Sequence, residues 1–380
     1  MPLDKVNKIA IMFTELTGIG ANMTQPELLG LSEVANLFGV SRQVVGNWRV
    51  RYHDFPQPIA ELKSGPIWSR DSVVAWGAEN GITVAPSNHG KDAKDDSGGA
   101  KMAITVALVN MKGGVGKSTL SANLGWYCAH RKNKKVLLID LDPQFNLSQY
   151  VLGPSKYEQH ITDGKSTILD ILEQFTPSAV SGAPKAKLAP SSVIVSITKS
   201  YGGGLLDLIP SRLELAWTLK NPHAKEHLLN DFLDEVRDQY DLVLIDCPPT
   251  ESMLTTAAYL ASDLVLVPVR AEFLSTIGLP LLVRSLEEFR GLYKKKDIDI
   301  VGIVFNASRE NPEYDRSRAY VAKVAKDKGW NIFEHEVTFS DSYPAGSRAG
   351  RPIFLTDYAR SWKIADFRAV AEEFIVRIGL

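Results

Sequence analysis

Cysteine is scarce: Cys128 and Cys247 are the only two in 380 residues. Both sit in apolar stretches, and no Cys/His spacing matches a zinc or iron–sulfur site. This excludes disulfide staples and metal clusters and predicts two packed thiols in a reducing compartment. Long apolar runs are missing as well. Val106–Val109 and Leu242–Ile245 have strand length, far short of the roughly 20 residues of a membrane span. Met1–Met12 lacks the apolar core and small-residue cleavage site of a signal peptide, so a cytoplasmic protein is expected. Nor does one sign of charge dominate. Lys and Arg number 43 against 44 Asp and Glu, for a formal net charge of -1. A bulk polycation is thereby excluded, and any nucleic-acid binding must come from local patches. What is present is an ordinary globular balance, 44% hydrophobic and 23% charged. At roughly 150 residues per domain, the length predicts two or three domains.

A composition break marks the first boundary. Ser87–Lys101 reads SNHGKDAKDDSGGAK, with no large apolar side chain to order it. It is expected to be a linker (87–101) between an N-terminal module (1–86) and a larger one (102–380). Within the first module, helical spacing predicts helices at Leu3–Leu16, Leu31–Phe38, Arg42–Arg51 and Arg70–Asn80. Three prolines in Asp54–Trp68 predict a turn or small β-ribbon. The larger module alternates strand and helix patterns. Strands are expected at Ile104–Asn110, Lys135–Asp140, Leu205–Ile209, Leu242–Asp246, Leu264–Val269 and Ile300–Phe305. Helices are expected at Ser118–Ala129, Ala224–Tyr240, Met253–Leu260, Gly278–Tyr293, Tyr314–Lys328 and Ile364–Ile378. That alternation predicts an α/β fold, a mostly parallel sheet flanked by helices on both faces. Pro177–Pro190 reads as a flexible surface insertion.

Between the first strand and first helix of this module, Lys112–Thr119 reads KGGVGKST. Gly113, Gly114 and Gly116 let backbone N–H groups turn inward around phosphate oxygens. The helix N-terminus adds partial positive charge. Gly113, Gly114, Val115, Gly116, Lys117, Ser118 and Thr119 are therefore candidates for binding a nucleoside triphosphate. Lys117 would reach the β- and γ-phosphates, and the Ser118 hydroxyl would ligate Mg²⁺. The usual pattern opens on a glycine at position 111. Here Met111 stands there and Lys112 follows.

KGG-x-GK-S/T is the deviant Walker A pattern, and the sequence resembles the ParA/MinD family of P-loop ATPases over residues 102–380. The resemblance implies a P-loop NTPase fold with ATP and Mg²⁺ as ligands. It also implies that Lys112 crosses a nucleotide-sandwich dimer to the partner's phosphates. Physically, a second ammonium near the γ-phosphate stabilises charge developing in transfer. Asp140–Gln144 (DLDPQ) resembles the switch I segment: Asp142 then matches the carboxylate acting on the attacking water, and Asp140 a Mg²⁺ outer-sphere role. Phe145 stands where the family commonly has glycine. Leu242–Pro249 (LVLIDCPP) resembles a Walker B strand, with Asp246 holding Mg²⁺ through water. Val267–Glu272 resembles the VPxxxE segment, and Gly350–Pro352 the GKP of the closing region. Asn306, ending a strand, is a candidate adenine contact.

Leu31–Arg51 has a short helix, a turn at Gly39 and a second helix opened by Ser41, the pattern of a helix-turn-helix. From Val34 to His53 there are three arginines and no acid. Arg42, Gln43, Asn47, Arg49 and Arg51 are candidate DNA contacts. With the following ribbon and helix, the module resembles a small winged helix-turn-helix domain of the MerR-like kind; a helical protein-interaction bundle fits the same pattern. The resemblance further implies that basic residues late in the chain, Arg351, Arg360 and Lys363 among them, hold DNA without sequence preference. Each alone also fits a solvated surface charge.

The expected function is an ATP-dependent partition ATPase that forms a homodimer on ATP, binds DNA and answers to a ParB-like centromere-binding partner. Its N-terminal module would bind operator DNA and repress its own operon. It would be cytoplasmic and nucleoid-associated. An ATP-switched transcription regulator or cargo-positioning ATPase would carry the same motifs. A MinD-like membrane-cycling protein would need a basic amphipathic helix beyond Ala369–Ile378, so no membrane partner is expected. An electron-donating relative of nitrogenase reductase would need cluster cysteines.

Overall fold

The computed structural model describes residues 28–38, 45, 49, 54–62, 65–80, 102–174, 188–220, 225–272, 278–294, 298–309, 311–357 and 359–380. The chain divides into two compact units, Met1–Asp96 and Ser97–Leu380.

In the first unit, β1 (Leu28–Gly30) leads directly into α1 (Leu31–Phe38). Strands β2 (Ala60–Leu62) and β3 (Gly65–Ser69) form an antiparallel ribbon, as its prolines suggested, and α2 (Arg70–Glu79) follows. The ribbon gains a third strand that the sequence pattern did not announce, because β1 pairs antiparallel with β3. Val34, Phe38, Val45, Phe55, Trp68, Val73 and Trp76 make one buried cluster. Phe55 meets Trp68 and Trp76 edge-on, and Trp68 donates its indole N–H to the Pro56 carbonyl. Ser69 caps α2 by accepting from the Ser72 amide. The expected Leu3–Leu16 helix and linker 87–101 lie outside the described residues.

The second unit owes its sheet to runs whose two faces are both apolar. Its strands are β4 (Ile104–Leu108), β5 (Lys135–Asp140), β6 (Val195–Lys199), β7 (Leu205–Ile209), β8 (Leu242–Asp246), β9 (Leu264–Val269), β10 (Asp299–Ser308) and β11 (Val337–Thr338). They lie in the order β11-β10-β9-β4-β8-β5-β7-β6. Every neighbouring pair is parallel except β6 with β7. Alternation along the strands feeds two cores: Val106, Leu108, Val136, Leu138, Leu242 and Leu244 go to one face, and Ala107, Leu137, Ile139, Val243 and Ile245 to the other.

Helices α3 (Lys117–Arg131), α4 (Asn146–Leu152) and the closing helix near the C-terminus cover the first face. Between them in sequence lie α5 (Pro154–Thr162), α6 (Leu228–Asp234), α7 (Met253–Ala261), α8 (Gly278–Leu292) and α9 (Pro312–Lys328). The closing helix is α10 (Ser361–Ile378). Helices α6 to α9 cover the second face. Burying each Leu, Val or Phe here contributes about 1.5–3 kcal/mol. One predicted helix, Ala224–Tyr240, is shorter than expected. It runs as α6 and ends before a 3-10 turn at Arg237–Gln239. The chain bends there because the Arg237 carbonyl is needed by the Ala103 amide and Tyr240 reaches Asp207. Cys128 and Cys247 are both buried free thiols.

Candidate functional site

Strands β4, β5, β7 and β8 run parallel, so their carboxyl ends share one edge of the sheet. Ligands of open α/β sheets gather at that edge. The KGGVGKST segment leaves β4 there and runs into α3, which begins at Lys117. Gly114 and Gly116 have φ of +75° and +87°, the left-handed region that glycine enters without strain. At Gly116 a Cβ would also collide with the Asn306 side-chain amide.

Lys117 is buried, and its Nζ donates to the carbonyls of Asn110 (3.2 Å) and Lys112 (3.3 Å) across the loop. Burial pushes its pKa down, while Asp246, Cys247 and Asp142 pull it back up. Asn110, which the sequence reading passed over as a strand end, is the pivot of the loop. Its Nδ2 donates to the Pro268 carbonyl (2.8 Å) and its Oδ1 accepts from the Lys112 amide (3.0 Å). The Lys112 side chain makes no hydrogen bond or ion pair with the described residues. Val115 is buried, and Thr119 gives its carbonyl to Asn123.

Asp246 lies at the end of β8 and is wholly buried, yet neither carboxyl oxygen has a hydrogen-bond partner among the described residues. Burial and Asp140 push its pKa up; the Ser118 hydroxyl and Lys117 counteract from beyond hydrogen-bond geometry. A buried, unpartnered carboxyl calls for a ligand. Among the described residues no group of three His, Cys, Asp or Glu could hold a metal. The donor set fits instead a hard cation held through water and a hydroxyl with help from phosphate, as Mg²⁺ is commonly bound.

Asp140 is engaged differently. Its Oδ2 accepts from the Ser148 amide (2.8 Å) and hydroxyl (2.6 Å), and its Oδ1 from the Asp142 amide (3.1 Å). Asp142 is buried too; its Oδ1 accepts from the Gln144 amide (2.9 Å), and its Oδ2 has no hydrogen bond to the described residues. Ser211, beyond β7, closes the network. Its amide donates to Ser148 Oγ and its hydroxyl to the Asp142 carbonyl, both at 2.8 Å. Phe145 has φ of +47° and stacks on Tyr157, rings 5.0 Å apart. Tyr157 in turn donates to the Ser211 carbonyl.

Burial raises the pKa of Asp140 to about 7, against an ordinary 3.8. Between those values the folded chain holds a proton that the unfolded chain has released. Stability is therefore highest near the lower value and is lost as pH rises toward the upper one. Burial shifts Asp142 and Asp246 in the same direction. Glu214 and Glu372, held low by Arg212 and Lys132, change only below their ordinary 4.5, and His130, pushed down from 6.5 by burial, opposes the carboxyls near neutral pH. Through these carboxyls the nucleotide-free protein should melt at a lower temperature at about pH 7.5 than at about pH 5.5. Scanning calorimetry checks this, and a flat or rising profile would refute it. Asp140→Asn should flatten the slope.

Asn306 is placed at the loop, its Nδ2 donating to the Val115 carbonyl (2.8 Å). It does not line the neighbouring cavity of about 400 Å³, which is formed by Arg270, Glu272, Arg309, Asn311, Glu313 and Tyr314. Arg270 connects that cavity to the loop through the Gly114 carbonyl. Among the sequence candidates for DNA, Arg42, Gln43, Asn47 and Arg51 lie outside the described residues, while Arg49 is exposed and 5.3 Å from the Trp68 ring. Arg351 and Arg360 are exposed, and Lys363 lies over the Trp362 ring at 3.9 Å. No helix among the described residues is long and apolar enough to cross a membrane.

A glycine-rich loop cradling a lysine between strand and helix, with a buried aspartate on the next strand, defines the P-loop NTPase class. A family model described as an AAA domain matches residues 103–300. The chain is 33% identical over 258 residues to the chromosome partitioning protein ParA of Caulobacter vibrioides, covering 66% of this chain and 86% of the relative. It is 34% identical over 262 residues to the sporulation initiation inhibitor protein Soj of Bacillus subtilis, covering 67% and 92%. Its fold is similar to that of Cyanothece McdA in complex with ATP, with a TM-score of 0.59 at 20% identity over 74% of this chain and 98% of that one. The chain belongs to the ParA/Soj-like family of P-loop ATPases.

Proposed function

We propose that this protein is an ATP-dependent DNA partition ATPase. The observation that carries the reading is the Asp246 carboxyl, buried and without a hydrogen-bond partner among the described residues, beside a loop whose carbonyls hold Lys117. The loop amides and Lys117 bind the triphosphate of ATP, and the cavity beside Arg270 takes the nucleoside end. Ser118 and Asp246, with Asp140 outside them, hold Mg²⁺, which supplies charge neutralisation on the phosphates. Asp142 orients the attacking water. Lys112, with its ammonium unengaged among the described residues, reads as the deviant Walker A lysine that crosses to a second copy when ATP closes the homodimer.

The dimer then holds nucleoid DNA through Arg351, Arg360 and Lys363. The latter two sit at the positive end of the α10 dipole, in a first turn with no acid. A ParB-like partner stimulates hydrolysis and release. The N-terminal unit, read as a winged helix-turn-helix, binds operator DNA with Arg42, Gln43, Asn47, Arg49 and Arg51 and represses its own operon. The protein works in the cytoplasm, on the nucleoid.

Binding to random-sequence duplex DNA, titrated with salt with and without ATP, tests the reading. Wild type should bind only with ATP, with affinity falling steeply as salt rises. Lys112→Gln should weaken that binding at least tenfold and leave operator binding intact. Binding that ignores nucleotide and needs one DNA sequence would overturn the partition reading and favour a repressor.

A further inference from the structure

Just beyond Ser211, residues Leu213–Lys220 form a 3-10 helix. With three residues per turn, positions three apart stack on one face. Leu215 and Thr218 are the buried face. Leu213, Ala216 and Leu219 stack on a second, and Trp217 projects from the third. Leu213 is 66% exposed, Trp217 65% and Leu219 38%. Three large apolar side chains laid out along one short helix are a patch, unlike exposed hydrophobics scattered singly.

The position of this ridge says what covers it. It leaves the carboxyl end of β7, on the same sheet edge as the phosphate loop, Asp142 and Asp246. Ser211, two residues before it, is bonded to the Asp142 carbonyl. On the far side of the loop, Gly278 backs onto Lys112, where an added Cβ would come 2.9 Å from the Lys112 Cβ. Leu281, one turn further along α8, is 53% exposed. Along the sheet edge, exposed apolar side chains thus stand to either side of the loop that leaves β4, Leu281 beyond β9 and the ridge beyond β7. The ridge carries no field of one sign: Glu214 is tied to Arg212 by bonds of 2.8 and 2.9 Å, and Lys220 follows. Two like copies can meet there without repulsion.

We infer that the Leu213–Trp217–Leu219 ridge docks against a second copy of this chain when the two phosphate sites come together. The inference rests on the ATP-dependent dimer proposed above. For Lys112 to reach a neighbour's phosphates, the two carboxyl edges must approach, and the ridge is part of that edge. Docking also bears on Asp142, because the ridge is joined to its carbonyl through Ser211.

Sedimentation velocity of the full chain with a non-hydrolysable ATP analogue and Mg²⁺ tests this. Trp217→Glu and Leu213→Glu should each raise the dimer dissociation constant at least about tenfold. Val376→Glu, a like change at a 78% exposed site on α10, should not. Fluorescent-nucleotide binding to the monomer should stay within about threefold in all of them, showing that the fold and the loop survive. A wild type that dimerises while both ridge variants dimerise equally well overturns the inference and leaves the proposed function standing. The same holds if the ridge variants lose only the binding of a different protein. A wild type that stays monomeric with nucleotide overturns both.

Discussion

Lys117→Ala is expected to cut ATP turnover by about 10²–10³-fold, the loss seen when one preorganised donor to developing charge is removed. The side chain sits inside the loop, with its ammonium on the Asn110 and Lys112 carbonyls. That placement holds the cation where the phosphates of a nucleotide would lie, at the start of α3, so no reorganisation in water is needed on binding. It also offsets the buried Asp246 and Asp142 carboxyls, whose pKa values rise through desolvation. Without Lys117 those carboxyls take up protons more readily, and the site loses both its donor and the charge of the Asp246 carboxylate proposed to hold Mg²⁺. ATP affinity should fall together with turnover. Lys117→Arg should not rescue either, because a planar fork does not fit a pocket shaped around one Nζ. A coupled-assay rate within threefold of wild type would refute the assignment. An unchanged near-UV circular dichroism spectrum would show that the fold is retained.

Most of the strand framework was legible because it obeys one simple rule. Strands β5, β7, β8 and β9 stand at their expected positions, since buried parallel strands read as unbroken β-branched and leucine runs between turn residues. The phosphate loop was legible for a different reason: glycine spacing and a lysine are imposed by phosphate geometry, so they survive as a string. What escaped was structure held by contacts distant in sequence. Strand β6 is an antiparallel edge of mixed Ser, Thr, Val and Ile, half-exposed, with no clean period. Helices α4 and α5 follow the switch-like segment with short, irregular apolar spacing.

The same holds within the site. Asn110, Ser148 and Ser211 are polar residues beside apolar strands, and nothing local marks them. Their value appears only when β4, β5 and β7 align their carboxyl ends and Asp140 and Asp142 acquire donors from 8 and 69 residues away. Phe145 shows how a departure from the family pattern is accommodated. Its left-handed backbone, normally left to glycine, costs on the order of 1 kcal/mol, and the Tyr157 ring stacked on it offsets that cost.

Asp142→Ala is expected to separate hydrolysis from binding. A group acting on water contributes about 10²–10⁴-fold, so turnover should drop by that order while ATP affinity stays within about threefold of wild type. The structure supports the split. Alanine loses the bond that Asp142 Oδ1 accepts from the Gln144 amide but keeps the main-chain bonds, the Asp142 amide donating to Asp140 and its carbonyl accepting from the Ser211 hydroxyl and the Phe145 amide. Oδ2 is left for a water. In the proposed site the loop would hold phosphate through Lys117 and the glycine amides, which do not depend on that oxygen. A dimer that forms on ATP and dissolves on hydrolysis should therefore accumulate with plain ATP in this variant. Asp142→Asn sharpens the test: its side-chain oxygen can still accept from Gln144, yet it has no charge with which to activate water. It should be as slow as Asp142→Ala and at least as stable to heat. Isothermal titration with ATP and Mg²⁺, beside single-turnover rates, reads both quantities. Affinity falling in step with turnover would move Asp142 from the water to the metal or the fold, and Asp142→Asn recovering turnover would exclude it as the group that activates water.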